Sequence, residues 1–282
     1  MTLKARKKFA QHWLRSEEAL NQIVTAANLQ KSDRILEIGP GTGILTQRLL
    51  PFVQSVVAVE IDRDLCRLLV KKLGKIDNFL LLQGDFLSLD LDTLLANFSN
   101  FQQPNKVVAN IPYNITGPIL EKLLGTITQP AVPGFDLIVL LVQKEVAQRL
   151  YAKPSSRAFG ALSVRVQYLA ECELICDVPA SAFSPPPKVD SAVVRLHPSL
   201  AEPPASDPKC LETLLKLGFG SKRKMLRNNL KSLIERDRIT QLLEQLEISP
   251  QARAEDLSVA QWIALANQIT IKNAFIFPKC PS

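Results

Sequence analysis

The segment ILEIGPGTGILTQRLL, residues 35–50, carries the strongest indication of the fold class. An apolar run ends in three closely spaced glycines, Gly39, Gly41 and Gly43, and a helical pattern follows them. Glycine lets the backbone turn sharply and come close to a ligand at the carboxyl end of a strand. The stretch therefore predicts a strand–turn–helix unit of an α/β domain, with a binding site at the turn.

Outward from this unit, short apolar runs alternate with helical patterns, which favours a parallel sheet covered on both faces. Strands are predicted at Arg34–Gly39, Val56–Ile61, Phe79–Asp85, Lys106–Ile111, Phe135–Gln143, Ala161–Ala170 and Ala192–His197. Helices are predicted near 17–27, 44–50, 62–73, 89–97, 116–124 and 144–151. The last two strands follow each other without a helix, so one of them is expected to run antiparallel at the end of the sheet.

The chain changes character after this sheet. Residues 198–208 hold four prolines, which is typical of a linker, and 209–272 are helical by period. We therefore expect an α/β domain over residues 1–200 and a small helical domain over 201–282.

Composition excludes several classes of protein. The chain has 282 residues, 46% of them hydrophobic and 22% charged, as in globular proteins. The longest aliphatic run, Leu137–Val142, is too short to cross a membrane, and no apolar leader is visible. Five scattered cysteines and two histidines predict neither a disulfide framework nor a metal site. We expect a cytoplasmic protein.

Positive charge is clustered. The net charge is +7, residues 1–15 carry five basic side chains and no acid, and residues 215–238 carry eight against two acids. Such runs are the footprint of proteins that bind polyanions. A solvated helix face is the alternative for each run alone, but two separate runs favour nucleic acid.

The glycine turn could hold either of two cofactor classes. Glu60 ends the next strand, 21 residues after Gly39, where a carboxylate can accept hydrogen bonds from both hydroxyls of a ribose. A dinucleotide site would want Gly or Ala at position 44, which is Ile44 here. Glu37 before the turn instead suits the ammonium and sulfonium of S-adenosylmethionine, so this donor is favoured over NAD. A turn without a ligand remains the alternative.

Two further strand ends carry candidate functional residues. Asp85 could accept from an adenine amino group, although a turn or helix-capping role is the alternative. Asn110 opens the run Asn-Ile-Pro-Tyr, in which the side chain and a backbone carbonyl can accept from an exocyclic amine while Tyr113 stacks on the base. Drawing the amine hydrogens out of the ring plane localises the nitrogen lone pair for attack on a methyl group.

Eight segments in one order resemble the ribosomal RNA adenine dimethyltransferase family, and most closely its small-subunit branch. They are FAQHWL (9–14), EIGPGTGILT (37–46), VEIDRDL (59–65), GDFL (84–87), NIPYNI (110–115), VQKEVAQRL (142–150), FSPPPKVDSAVVRL (183–196) and FGSKRKMLRNNL (219–230). The resemblance implies a Rossmann-like methyltransferase domain that dimethylates two adjacent adenines near the 3′ end of 16S rRNA. Its partner would be the small-subunit precursor, and the protein would be a monomer without a metal.

The resemblance also implies roles for individual residues. The methyl donor would be held by His12, Leu14, Gly39, Glu60, Asp85 and Asn110, and the target base would lie between Tyr113 and Phe183. The family motif usually has Asn where this chain has His12, so the resemblance implies a role for the backbone of His12 rather than for its side chain.

Phosphates would meet a helical stripe of Lys222, Arg223, Lys224 and Arg227, docked by Leu226, Leu230 and Leu233. Three alternatives remain beside this reading. They are a 23S rRNA methyltransferase of the resistance type, a non-catalytic RNA-binding assembly factor, and an NAD-linked enzyme.

Overall fold

The computed structural model describes residues 11–132 and 134–276. The strands in these ranges are β1 (Trp13–Leu14), β2 (Arg34–Ile38), β3 (Ser55–Glu60), β4 (Phe79–Gln83), β5 (Lys106–Asn110), β6 (Gly125–Thr126), β7 (Gln129–Pro130), β8 (Leu137–Gln143), β9 (Ala170–Val178), β10 (Phe183–Ser184) and β11 (Ser191–Pro198). The helices are α1 (Glu17–Ala26), α2 (Ile44–Leu49), α3 (Arg63–Leu73), α4 (Leu91–Leu95), α5 (Thr116–Leu124), α6 (Lys144–Leu150), α7 (Ala161–Leu169), α8 (Pro208–Gly218), α9 (Leu226–Asn229), α10 (Arg236–Gln245) and α11 (Val259–Ile276).

One sheet organises the strands in the order β4-β3-β2-β5-β8-β11-β9. Its first five strands pair in parallel, and β11 runs antiparallel to β8. Every residue of β3 is buried, as expected when helices cover both faces. The mostly parallel seven-stranded sheet of a Rossmann-like fold is thereby confirmed, with an antiparallel strand towards one end.

The strand predicted at Ala161–Ala170 is wrong, because that segment is helix α7. Gly160 precedes the helix, and its backbone N–H donates to Ser163 Oγ at 3.0 Å. Alternating Val164 and Val166 mimic a strand pattern, yet both side chains pack into the core from a helix. The seventh strand is instead β9, whose acidic residues suit its place at the edge of the sheet.

Helix α1 follows its sequence signals. Ser16 Oγ accepts from Ala19 N at 3.2 Å, and Leu20 and Ile23 are buried. These contacts satisfy a donor at the helix start and bury its apolar face. The predicted amphipathic helix is confirmed.

The chain divides into two compact units. The first holds the described residues up to Leu124 together with 131–147 and 172–198, and it contains the seven-stranded sheet. The second holds 125–130, 148–171 and the described residues from Ser199 onward, and it is mainly helical. Residues 148–171, which the division at residue 200 assigned to the first domain, thus group with the second unit.

Candidate active site

A cavity of about 360 Å³ lies in the first unit, at the carboxyl ends of β2, β3, β4 and β5. Open α/β sheets bind their ligands at this edge. The cavity is lined by predicted residues from all four strand ends and from the N-terminal segment, namely His12, Leu14, Gly39, Glu60, Asp85, Asn110 and Tyr113. The structure therefore brings together all the residues predicted to hold a donor.

The glycine turn forms the floor of this cavity. Gly39 and Gly41 adopt φ of +68° and +60°, values that favour glycine. A Cβ on Gly41 would lie 3.3 Å from Cδ1 of the Trp13 indole, so the close packing of Trp13 also favours glycine there. The N-terminal segment can thus cover the turn at short range.

Glu60 is fixed from two sides. Its Oε2 accepts from Gly41 N at 3.1 Å, and its Oε1 accepts from Asp62 N at 2.8 Å. Burial raises the pKa of this carboxyl, while the two backbone N–H groups oppose the shift. Each oxygen keeps a second lone pair for a ligand, as the predicted ribose contact requires.

Glu37 is a buried acid whose Oε2 has no hydrogen-bond partner among the described residues. Its side chain lines the cavity and the residue is only 1% exposed. Burial, with the nearby Glu60 charge, raises its pKa to about 8. A buried carboxyl with one unpartnered oxygen is costly, and a cation would relieve that cost. The cavity thus fits a ligand that carries an ammonium or sulfonium.

Asp85 is exposed after β4, and its Oδ1 accepts from Leu87 N at 3.0 Å. This contact is the turn geometry that was the alternative to ligand binding. The side chain nevertheless lines the cavity beside the buried Phe86. A turn role and an adenine contact are compatible, since a carboxylate has further acceptor sites.

Asn110 joins β5 to the N-terminal segment. Its Nδ2 donates to the backbone oxygen of His12 at 3.4 Å, which leaves its Oδ1 as an acceptor for another donor. Tyr113 follows in the next turn, and its hydroxyl lies 2.6 Å from Ser191 Oγ. The His12 and Tyr113 rings stack with centroids 5.9 Å apart and planes 16° apart.

Phe183 lies elsewhere. It pairs with Leu14 between β10 and β1, is 4% exposed, and packs in the core rather than in the cavity wall. Its stacking role stays a prediction, because the ring must turn outward to meet a base. Pro185, two residues later, does reach the site: its carbonyl accepts from His12 Nδ1 at 2.8 Å.

The sequence did not single out two cavity residues. Gln11 Nε2 donates to Asp62 Oδ2 at 3.0 Å, and Trp13 covers Gly41. Both belong to the segment FAQHWL, so its match to a family motif was the available signal. Such long-range contacts leave no trace in local periodicity.

The basic segment is not a helical stripe, and that prediction is wrong. Lys222, Arg223 and Lys224 are exposed in a turn, and α9 begins only at Leu226. Leu226 N donates to Ala252 O at 2.8 Å, and Asn229 Nδ2 donates to Gly218 O at 2.6 Å. These contacts hold the preceding residues in a compact turn instead of a helix.

Two details of the predicted stripe also change. Arg227 is half-buried, with its guanidinium 3.6 Å from Met225 Sδ, and Leu233 is 44% exposed instead of docking the helix. Of the four residues predicted to meet phosphates, Lys222, Arg223 and Lys224 are exposed. The other predicted basic cluster, Lys4, Arg6, Lys7 and Lys8, lies outside the described residues.

In residues 11–132 and 134–276 there is no group of three or more His, Cys, Asp or Glu side chains suited to a metal ion. Across the same ranges no helix is both long and apolar enough to span a membrane.

Comparison with known proteins gives matches along nearly the whole chain. The profile of the family described as ribosomal RNA adenine dimethylase matches residues 2–270. A protein of Nostoc sp. (strain PCC 7120 / SAG 25.82 / UTEX 2576), named ribosomal RNA small subunit methyltransferase A, is 72% identical over 270 residues, which are 96% of this chain and 100% of that protein.

Two solved structures are similar as well. A dimethyladenosine transferase from Plasmodium falciparum has a TM-score of 0.76 at 27% identity, covering 93% of this chain and 98% of that one. The 23S rRNA methyltransferase ErmE has a TM-score of 0.71 at 26% identity, covering 92% and 99%. The fold is therefore shared by enzymes named for different substrates.

Proposed function

The chain belongs to the ribosomal RNA adenine dimethylase family, and from this premise we propose that it dimethylates two adjacent adenines near the 3′ end of 16S rRNA. The donor is S-adenosylmethionine and the product is N6,N6-dimethyladenosine, formed during assembly of the small subunit. One observation carries the proposal: a cavity that fits a cationic nucleoside opens beside an Asn–Ile–Pro–Tyr turn.

The donor fits the chemistry of the cavity at three places. The orphaned Oε2 of Glu37 suits a positive charge, the oriented carboxylate of Glu60 suits a ribose diol, and Asp85 suits an adenine amino group. S-adenosylmethionine combines these three features and supplies an activated methyl group. Gly39, Leu14 and the backbone of His12 complete the walls around it.

The acceptor chemistry rests on Asn110. The lone pair of an adenine amine is delocalised into the ring, so the amine is a weak nucleophile. Asn110 Oδ1, left open because Nδ2 faces His12, accepts an N–H and favours a tetrahedral nitrogen. The new N–C bond then forms as the methyl–sulfur bond breaks, and the amine proton leaves to solvent. Tyr113 and an outward-turned Phe183 hold the base.

The RNA phosphates would bind to basic side chains. Lys222, Arg223 and Lys224 are exposed cations, and Arg227 lies beside them in α9. Such contacts position a phosphate backbone without reading bases. We infer that the second unit binds rRNA and that the protein works as a cytoplasmic monomer on the small-subunit precursor.

The alternatives are less well supported. The two similar structures differ little in TM-score, so the fold alone does not separate 16S from 23S substrates. Identity of 72% to a small-subunit enzyme over 270 residues, including the second unit, favours 16S rRNA. Ile44 disfavours NAD, and the intact Asn110–Tyr113 turn disfavours a non-catalytic assembly factor.

Labelling tests the proposal directly. The protein is incubated with tritiated donor and unmodified small subunits, and the label is located in the RNA. We expect label at two adjacent adenines near the 3′ end of 16S rRNA. Label in 23S rRNA during a parallel incubation with large subunits would assign the resistance-type activity. Absence of donor binding in calorimetry would leave only the assembly-factor role.

A further inference from the structure

The imidazole of His12 stacks on the ring of Tyr113, on which the target base is proposed to stack. The imidazole lies nearly parallel to the Tyr113 ring, with centroids 5.9 Å apart. At its edge, Nδ1 donates to the carbonyl of Pro185 at 2.8 Å. A flat aromatic ring stacked on tyrosine, with an edge N–H held by a carbonyl, reproduces the way in which proteins hold an extruded base.

The partners of His12 join the two segments that flank the proposed base site. Tyr113 belongs to the turn after β5, and Pro185 follows β10, which carries Phe183. The imidazole contacts both segments. Any base that stacks on this face of Tyr113 therefore competes with the imidazole for the same ring.

The backbone of His12 has a separate partner. Its carbonyl oxygen accepts from Asn110 Nδ2 at 3.4 Å, and this contact does not involve the ring. The ring can therefore swing away from Tyr113 while the main chain stays in the donor wall. Tyr113 stays in place independently, because its hydroxyl is held by Ser191 Oγ.

We propose that the imidazole of His12 covers the face of Tyr113 that receives the target adenine and is displaced when the base enters. His12 is thereby a positioning residue. Its imidazole keeps the Tyr113 ring ordered in the empty enzyme, and a base binds only if its stacking on Tyr113 is more favourable than that of the imidazole. This inference rests on the proposed function, because it assumes that Tyr113 stacks on the target base.

Nuclear magnetic resonance gives a test that does not depend on turnover. The chain has two histidines, so its imidazole C2–H region holds two signals. The His12 signal is assigned by His12→Asn, and its ring-current shift is confirmed by loss in Tyr113→Leu. Adenosine is added as the probe, together with S-adenosylhomocysteine. We expect the His12 signal to move towards the position it has in Tyr113→Leu, while the His197 signal stays unchanged.

Kinetics on unmodified small subunits give the second readout. His12→Asn removes the ring, so the KM for subunits is expected to fall about two- to tenfold, the range of one aromatic pair. His12→Phe keeps an aromatic cover and is expected to show no such fall. His197→Asn is the matched control, and donor affinity is measured by calorimetry for each variant.

The outcomes separate cleanly. A raised or unchanged KM in His12→Asn, or an unmoved His12 signal at saturating adenosine, would overturn the displacement of His12. Adenosine that moves neither histidine signal while His12→Asn leaves KM unchanged would do the same. Wild-type protein that places no label on subunit RNA would instead refute the proposed function.

Discussion

At the scale of single residues, the proposed donor site depends on carboxyl groups that burial makes costly. Glu60 is 5% exposed and Glu37 is 1% exposed, yet only Glu60 has both oxygens engaged by the backbone. The two acids therefore have different roles. Glu60 is a fixed acceptor, whereas Glu37 can change its charge in response to a ligand.

Replacing Glu60 tests the fixed acceptor. Glu60→Gln keeps the side-chain size but replaces one acceptor oxygen by an NH2 group. It therefore loses one of the two hydrogen bonds from backbone N–H groups, together with the charge that strengthens hydrogen bonds to a ribose diol. We expect donor affinity in calorimetry to fall by about 1.5–3 kcal/mol, roughly 10- to 150-fold, with an unchanged far-ultraviolet spectrum. Glu121→Gln, at an exposed site on α5, is the matched control. Donor affinity equal to that of wild type would remove Glu60 from the site.

Glu37 predicts a pH dependence of stability. Its pKa is raised to about 8 in the folded chain, against 4.5 for an ordinary glutamate. Between these values the unfolded chain is ionised and binds fewer protons than the folded one, so stability falls as pH rises through this window. Below and above the window this contribution is constant. The loss is at most about 5 kcal/mol, since each pKa unit is worth about 1.4 kcal/mol.

Urea unfolding at pH 5, 6.5 and 8 measures this effect without donor. We expect the free energy of unfolding of wild type to decrease relative to Glu37→Gln as the pH increases, because the amide does not titrate. Parallel curves for the two proteins would show that Glu37 is ionised in the folded chain already at low pH.

At the scale of elements, local patterns predicted most of the sheet and failed at its edge. Strands such as β3 are buried on both faces, and their continuous apolar runs are visible in the sequence. The edge strand β9 carries acidic residues and has no such run, while α7 carries alternating valines. Burial in the second unit, which decides that α7 is a helix, is tertiary information that periodicity does not contain.

The turn formed by Lys222, Arg223 and Lys224, here called the basic turn, shows the same limit of local sequence patterns. Spacing of cations at three and four residues suggested a helix, but contacts to Ala252 and Gly218, distant in sequence, hold a turn instead. For the site, the order of strand ends predicted which residues meet, because parallel strands share one edge. The burial of Phe183 and the stack of His12 on Tyr113 depend on loop packing, which no local pattern encodes.

Charge removal tests the basic turn as an RNA-binding element. Arg223 and Lys224 are exposed, so replacing both by Gln is expected to weaken rRNA binding and to flatten its salt dependence by roughly 0.7–0.9 log units per lost phosphate contact. Lys71→Gln with Lys75→Gln, exposed positions in and after α3, removes the same charge elsewhere. If log affinity for rRNA depends on log salt concentration with the same slope in both double variants, the basic turn does not contact phosphates.

At the scale of the whole molecule, ligand binding couples one cavity to the stability of the fold. A ligand that binds only the folded chain adds about 2.7 kcal/mol to its stability at 100 times the dissociation constant. For a chain of this size that corresponds to a rise in Tm of roughly 5 °C, because the entropy of unfolding grows with chain length. Thermal unfolding therefore reports which cofactor class the cavity accepts, because every lining group contributes to the shift.

We expect S-adenosylmethionine and S-adenosylhomocysteine to raise Tm and NAD at equal concentration to leave it unchanged. NAD carries a diphosphate that needs a close approach at the helix start, where Ile44 stands, and it would place negative charge in a cavity lined by Glu37 and Glu60. A methyl donor instead carries a positive charge, which can pair with the Glu37 oxygen that has no hydrogen-bond partner among the described residues. In Glu60→Gln the rise in Tm at the same donor concentration should be smaller, because the affinity for the donor is lower. A rise in Tm with NAD and none with the methyl donor would show that the cavity binds NAD, and the cofactor class inferred from the glycine turn would be wrong.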